Sequence, residues 1–122
     1  GQVYSIDRTP PTVVSIVRAS PNPTTASTVN FTVTFSESVI GVDQFDFSLI
    51  NTGTMAGTSI ISVGGTGITR TVTVNTGTGS GTLGLNLIDN DTIRDSVSDN
   101  NRLGGTGLGN GNYTTGQIYN VR

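Results

Sequence analysis

The chain has no cysteine, no histidine, no lysine and no tryptophan. Without cysteine it can form neither a disulfide nor a thiolate metal site, and its redox compartment is left undetermined. Without histidine it lacks the commonest general base and metal ligand. All six cations are arginines, so the lysine-based amide cross-links of some surface pilins cannot form. Net charge is −2 and the sequence pI about 4.6, with no basic cluster, so no nucleic-acid partner is expected. No run approaches the roughly 20 apolar residues of a membrane-spanning helix, so no membrane insertion is expected. No signal-peptide pattern is present, as expected of a processed secreted chain or of a unit within a longer one.

These absences exclude most chemistry. Paired-carboxylate hydrolysis of sugars calls for an aromatic-lined cleft, and a chain with one glutamate (Glu37), no tryptophan and few aromatics offers poor material for it. Serine catalysis has no histidine partner and no Gly-x-Ser-x-Gly turn. The glycine-rich stretch 104–111 does not follow the Gly-x-Gly-x-x-Gly pattern between strand and helix, so nucleotide binding is not expected. The chain reads as a non-enzyme.

Half of the 122 residues are Thr, Gly, Ser or Asn, and only 11% are charged. Such a composition suits β-structure with many turns and disfavours helical bundles. With little net charge and with apolar residues in alternating runs, the chain should fold rather than stay disordered. Period-two alternation is clearest at 28–36, where Phe31, Val33 and Phe35 oppose Asn30, Thr32 and Thr34. Similar alternation at 43–49 groups Phe45, Phe47 and Leu49; at 70–75 it groups Val72 and Val74; at 82–88 it groups Leu83, Leu85 and Leu87. Weaker segments are 12–18 (Val14, Ile16), 58–63 (Ile61, Val63) and 116–121. Seven short strands separated by Gly, Pro and Asn turns predict an all-β, Ig-like Greek-key β-sandwich. Residues 98–112 read as a long glycine-rich loop.

Gly1-Gln2-Val3-Tyr4-Ser5-Ile6-Asp7 recurs as Gly116-Gln117-Ile118-Tyr119-Asn120-Val121-Arg122, an offset of 115 residues. The chain has three Gln and three Tyr, and two of each fall in these matched positions. Such a match predicts one period of a tandem repeat with an overlap into the next. Residues 1–8 then comprise the last strand of a preceding unit plus linker, and 9–122 the unit itself. The joint between units is expected at Tyr4, Ile6, Asp7, Thr9, Pro10 and Pro11, with Tyr119 and Val121 as the second copies of Tyr4 and Ile6. The proline pair stiffens it.

The run Thr9-Pro10-Pro11-Thr12-Val13-Val14-Ser15-Ile16 resembles the bacterial Ig-like repeats of large cell-surface and secreted proteins. Val33-Thr34-Phe35-Ser36-Glu37-Ser38-Val39, Asp43 to Phe47, Leu103-Gly104-Gly105-Thr106-Gly107 and Gly116-Gln117-Ile118-Tyr119 continue the likeness over nearly the whole chain. Family members often place Asp directly before Thr-Pro-Pro; here Asp7-Arg8 precedes it, and Arg122 stands at the second copy of Asp7. The resemblance implies an extracellular or cell-surface stalk, spacer, adhesin or fibre, with neighbouring copies as partners.

Two further readings follow from the residues. No cofactor is required, but calcium suits the oxygen donors of Asp89, Asp91, Asp95 and Asp99, with Asp7 and Glu37 able to approach them. The same residues equally suit Asx turns in a solvated loop. No lysine guards the sheet edges, so a terminal strand could instead be lent to a neighbour, giving a non-covalent filament. Thr69, Thr71, Thr73, Thr76 and Thr78 form a ladder that an ice- or ligand-binding surface would use, although outward Thr is ordinary in strands. The sequons at Asn30, Asn90 and Asn112 are expected by chance in so Thr-rich a chain.

Overall fold

A computed structural model of the chain describes residues 10–89, 92–95, 103–104 and 111–122. Within them lie eight strands: β1 (Val13–Arg18), β2 (Thr28–Ile40), β3 (Phe47–Asn51), β4 (Ser59–Gly64), β5 (Gly67–Asn75), β6 (Gly81–Leu87), β7 (Arg94–Asp95) and β8 (Ile118–Val121). They form two antiparallel sheets. One has the order β1-β2-β5-β4, with β7 paired to the far part of β2; the other has the order β3-β6-β8.

The sheets enclose one core because their strands alternate in phase. On β2, Val29, Phe31, Val33, Phe35 and Val39 are buried. Val72 and Val74 of β5 lie beside them; Leu83, Leu85 and Leu87 of β6 and Tyr119 of β8 complete the core from the second sheet. Each such side chain contributes roughly 1.5–3 kcal/mol by leaving water. Ile93 and Leu103, outside the alternating runs, close the core where β6 ends.

Three departures from simple alternation have two local causes, a capped turn and a register shift. Phe45 does not stand with Phe47 and Leu49. Gln44–Asp46 form a 3-10 turn in which the Asp43 carboxylate accepts from the Phe45 N–H (2.9 Å) and the Asp46 carboxylate from the Asp43 N–H (2.7 Å). This reciprocal cap overrides the alternating pattern, leaves Phe45 77% exposed and starts β3 only at Phe47. Val14 does not share the face of Ile16, because the register shifts between Val13 and Ser15; Val14 is 57% exposed and Val13 packs on the core instead. A shift between Ile60 and Ser62 does the same on β4: Ile61 is 50% exposed, while Ile60 and Val63 face inward. One inserted residue moves every later side chain to the other face.

β2 also runs beyond the expected residue 36 to Ile40, where it pairs with the unforeseen β7. Within the stretch expected as a long loop at 98–112, Leu103 is a core residue; residues 98–102 and 105–110 lie outside the described ones.

The strand registers set the direction of the chain through the molecule. Val13 pairs with Phe35 and Arg18 with Phe31, so β1 travels toward the start of β2. β8 travels the same way, from Ile118 opposite Gly84 to Val121 opposite Gly81. The chain therefore comes in at one pole, by Pro11, and goes out at the other, by Arg122.

The capped turn yields a direct test. Phe45→Ala should change unfolding free energy by no more than about 0.5 kcal/mol, whereas Phe47→Ala should cost about 3–5 kcal/mol. Urea titration of both variants checks this; equal costs would place Phe45 in the core.

Candidate functional site: the last strand and the two poles

β8 has only four residues and lies at a sheet edge, yet the far side of its backbone is paired. Gln117 N–H donates to Ile16 O (2.9 Å), and the Arg18 guanidinium to Ile118 O (2.8 Å). Asn120 N–H donates to Asn22 Oδ1 (2.7 Å), Thr24 N–H to Asn120 O (2.9 Å), and Arg122 N–H to Thr24 O (2.9 Å). The Gln117 side chain returns a bond, accepting from Arg18 N–H at 2.9 Å. Residues 16–24 thus run alongside β8 in parallel and occupy the edge that another strand would need.

Tyr119 ties this seam to the core. Its ring is fully buried and meets Phe31 edge-on, with centroids 5.1 Å apart and planes at 78°. Its hydroxyl donates to Asn30 O (2.5 Å) and accepts from Ala19 N–H (3.1 Å) and Ser20 N–H (2.8 Å). One side chain so joins the second sheet to the β1–β2 connection of the first.

At the incoming pole Pro11 is buried, and its carbonyl accepts from Gly104 N–H (2.8 Å). Thr12 N–H donates to Ser36 Oγ (2.9 Å) and Thr12 O accepts from Ser36 N–H (2.8 Å). Pro11, expected in the joint, is therefore part of the folded unit. Of the remaining joint residues, Pro10, Tyr119 and Val121 are described, while Tyr4, Ile6, Asp7 and Thr9 lie outside the described residues.

At the outgoing pole, residues 52–56 and 78–82 continue the β3–β6 pairing past the end of β3, with Thr54 N–H to Ser80 O (2.8 Å) and Ala56 N–H to Thr78 O (3.0 Å). The segments approach so closely that a side chain on Gly79 (φ +83°) would put its Cβ 2.2 Å from Thr54 O, a position only glycine fills. A shallow cleft of about 430 Å³ opens here, lined by Ser80, Gly81, Thr82, Asn120, Val121 and Arg122. A second, of about 420 Å³, lies under the exposed Phe45 between β3 and β4, the edge strands of the two sheets among the described residues.

The six calcium candidates are not shown together. Asp7, Asp91 and Asp99 lie outside the described residues. Glu37 is half-buried on β2; Asp95 is buried on β7, opposite Val39. Asp89 is buried, and its carboxylate accepts from Gly111 N–H (3.0 Å) while its own N–H donates to Asn112 Oδ1 (2.6 Å). Among the described residues no three such groups converge. The threonine ladder also divides. Thr69, Thr71 and Thr73 stand on the outer face opposite Thr34, Thr32 and Asn30, but Thr76 is buried and donates to Ala26 O (2.7 Å).

Two buried charges went unforeseen. Arg70 lies on the inward face of β5, where β2 and β5 lose register between Thr34 and Val39. Its guanidinium fills that gap, donating to Val39 O (2.7 Å), Gly67 O (2.9 Å) and Thr69 O (3.0 Å), and burial lowers its pKa. The signal was its parity with Val72 and Val74. Asp46, in the capped turn, is fully buried. Burial pushes its carboxyl from 3.8 up to about 6, against the opposing bonds from Asp43 N–H and the Thr92 hydroxyl (3.0 Å). Its signal was the Asp-x-x-Asp spacing.

Compared with protein-family models, curated proteins and solved structures, the chain gives no match.

Tyr119→Phe retains the ring but removes the hydroxyl shared by Ala19 N–H, Ser20 N–H and Asn30 O. Ala19 N–H and Asn30 O keep their bond to each other (3.0 Å), so the loss falls chiefly on Ser20 N–H. A loss of about 1–3 kcal/mol in unfolding free energy is expected from denaturant titration; no loss would show that water replaces the hydroxyl.

Asp46 makes stability depend on pH with a defined sign. Between about 4 and 6 the folded chain holds a proton that the unfolded chain has lost, so this group's contribution to stability falls as pH rises through that window. Asp46→Asn, neutral throughout, should gain in melting temperature over the parent at pH 7.5, and the gain should shrink as pH approaches 4. Thermal scans across the window check this, and a pH-independent difference would refute it.

Proposed function

We propose that the chain is an Ig-like structural unit, without catalytic activity, joined end to end with copies of itself in an extracellular or cell-surface stalk, fibre or adhesin. The observation that carries this is the path of the chain: it comes in at one pole and leaves at the other, with the last-strand slot filled by residues 118–121 and its edge taken by residues 16–24 of the same unit. Residues 1–6 copy that strand and would find its slot occupied in their own unit. They fit as the last strand of the unit before.

Strand order supports the Ig-like part. β1-β2-β5-β4 against β3-β6-β8 matches the ABED and CFG sheets of constant-type Ig sandwiches, which have Greek-key connections. β7 is then a short addition between the sixth and last strands. Tyr119 takes over the cross-core role that a chain without cysteine and tryptophan cannot assign to a disulfide and an indole.

Mass under denaturing conditions tests the array. Polypeptide isolated from its natural source should run as multiples of the unit, far above 12.6 kDa. A single band near 12.6 kDa that nonetheless forms filaments would overturn covalent joining in favour of strand lending between subunits. Monomers that bind ice or a small ligand would overturn both.

A further inference from the structure

The described charges are sorted along the long axis. The outward faces of β2 and β5 (Thr28, Asn30, Thr32, Thr34, Thr69, Thr71, Thr73) and of β3, β6 and β8 (Ser48, Ile50, Thr82, Asn86, Ile118, Asn120) carry none. Five carboxylates, Glu37, Asp43, Asp46, Asp89 and Asp95, lie in the incoming half, accompanied by Arg70 and Arg94. The outgoing half carries Arg18 and Arg122 and, among the described residues, no acid. Asp43 and Arg122 are the exposed members of the two sets.

A second, independent observation is the length of the tether. Pro11 is held on its unit by the bond from Gly104. In the repeat, Arg122 takes the place of Asp7, so only the equivalents of Arg8, Thr9 and Pro10 separate it from the next Pro11. Four residue steps span at most about 14 Å. The outgoing pole of one unit and the incoming pole of the next are thus kept close to the ~10 Å over which charges act at 0.1 M salt.

We infer that a unit ending in Arg122 seats pole to pole on the copy that follows it, its Arg122-bearing pole and cleft receiving the acidic incoming pole, with Asp43 exposed there. The joint before this unit has Asp7 at that position and lacks the pairing, so the contact belongs to the joints that carry arginine. The inference rests on the tandem reading and adds to it a specific interface. Like poles repel and unlike poles attract, so the contact is directional. It stiffens the array without a metal and weakens with salt.

The test is a two-unit chain, residues 1–122 followed by a second copy of 8–122, studied by 15N relaxation. In 20 mM NaCl both units should share one rotational correlation time. In 0.5 M NaCl each should fall toward that of the single 122-residue chain. Arg122→Glu in the first unit should abolish shared tumbling already at low salt. The same substitution in the second unit faces no neighbour and should leave coupling intact, which separates a joint effect from a folding defect. Independent tumbling of the unsubstituted pair at low salt overturns the interface, as does coupling that survives both salt and Arg122→Glu. Coupling lost to EDTA but not to salt also overturns it and assigns the joint to a bound cation. None of these outcomes bears on the natural polypeptide's mass, so failure of the interface and failure of the array are told apart.

Discussion

The Tyr119 hydroxyl is the point on which the closure of the sandwich depends. Four residues of β8 could not hold their place by pairing with β6 alone, since short edge strands are marginal in water. Tyr119 gives the strand an anchor in the core against Phe31 and a three-way hydrogen bond to Asn30 O, Ala19 N–H and Ser20 N–H. That contact positions the β1–β2 connection so that Asn22, Thr24 and Arg18 can reach the outer side of β8. The direction in which the chain leaves, and hence the separation of the two poles, follows from it.

The edges of the two sheets are treated unequally. On one side β1 and β8 are sealed to each other by residues 16–24. On the other, β3 and β4 end in uncharged backbone, with Phe45 and the cleft beneath it between them. Without lysine, the protection there comes from geometry: the register shift at Ile60 and Ser62 bends β4, and β3 is only five residues long. Short and irregular edges pair poorly with other chains, which does by shape what charge does elsewhere.

How much of this was legible in the sequence follows from which interactions are local. The strands whose inward faces are continuous runs of Phe, Val or Leu (β2, β5, β6) were readable because alternation reports burial directly. Val14, Ile61 and Phe45 were misread because a single inserted residue, or a carboxylate capping a turn two and three residues away, reverses the parity without altering composition. The repeat revealed Tyr119 and Val121 as special but not why. The partners of the last strand, such as Arg18 and Asn22, lie 98 to 100 residues away in sequence, and no local pattern encodes such a pairing. Arg70 shows the intermediate case: its parity with Val72 and Val74 announced an inward cation, but the gap in β2 that receives it arises only when two strands meet out of register.

The distribution of charge follows from the same strand plan. An all-β chain exposes two broad outer faces, and here they are hydroxyl- and amide-rich, with threonine satisfying both strand propensity and hydration. A charge on such a face would be solvated and of little consequence to packing. Charges at the turns instead cap backbone, as Asp43 and Asp46 do, or fill breaks in register, as Arg70 does. Turns lie at the poles of a sandwich, and the acidic turns among the described residues lie at one of them. The exposed arginine beside the other is the residue that stands where the preceding copy of the segment has Asp7.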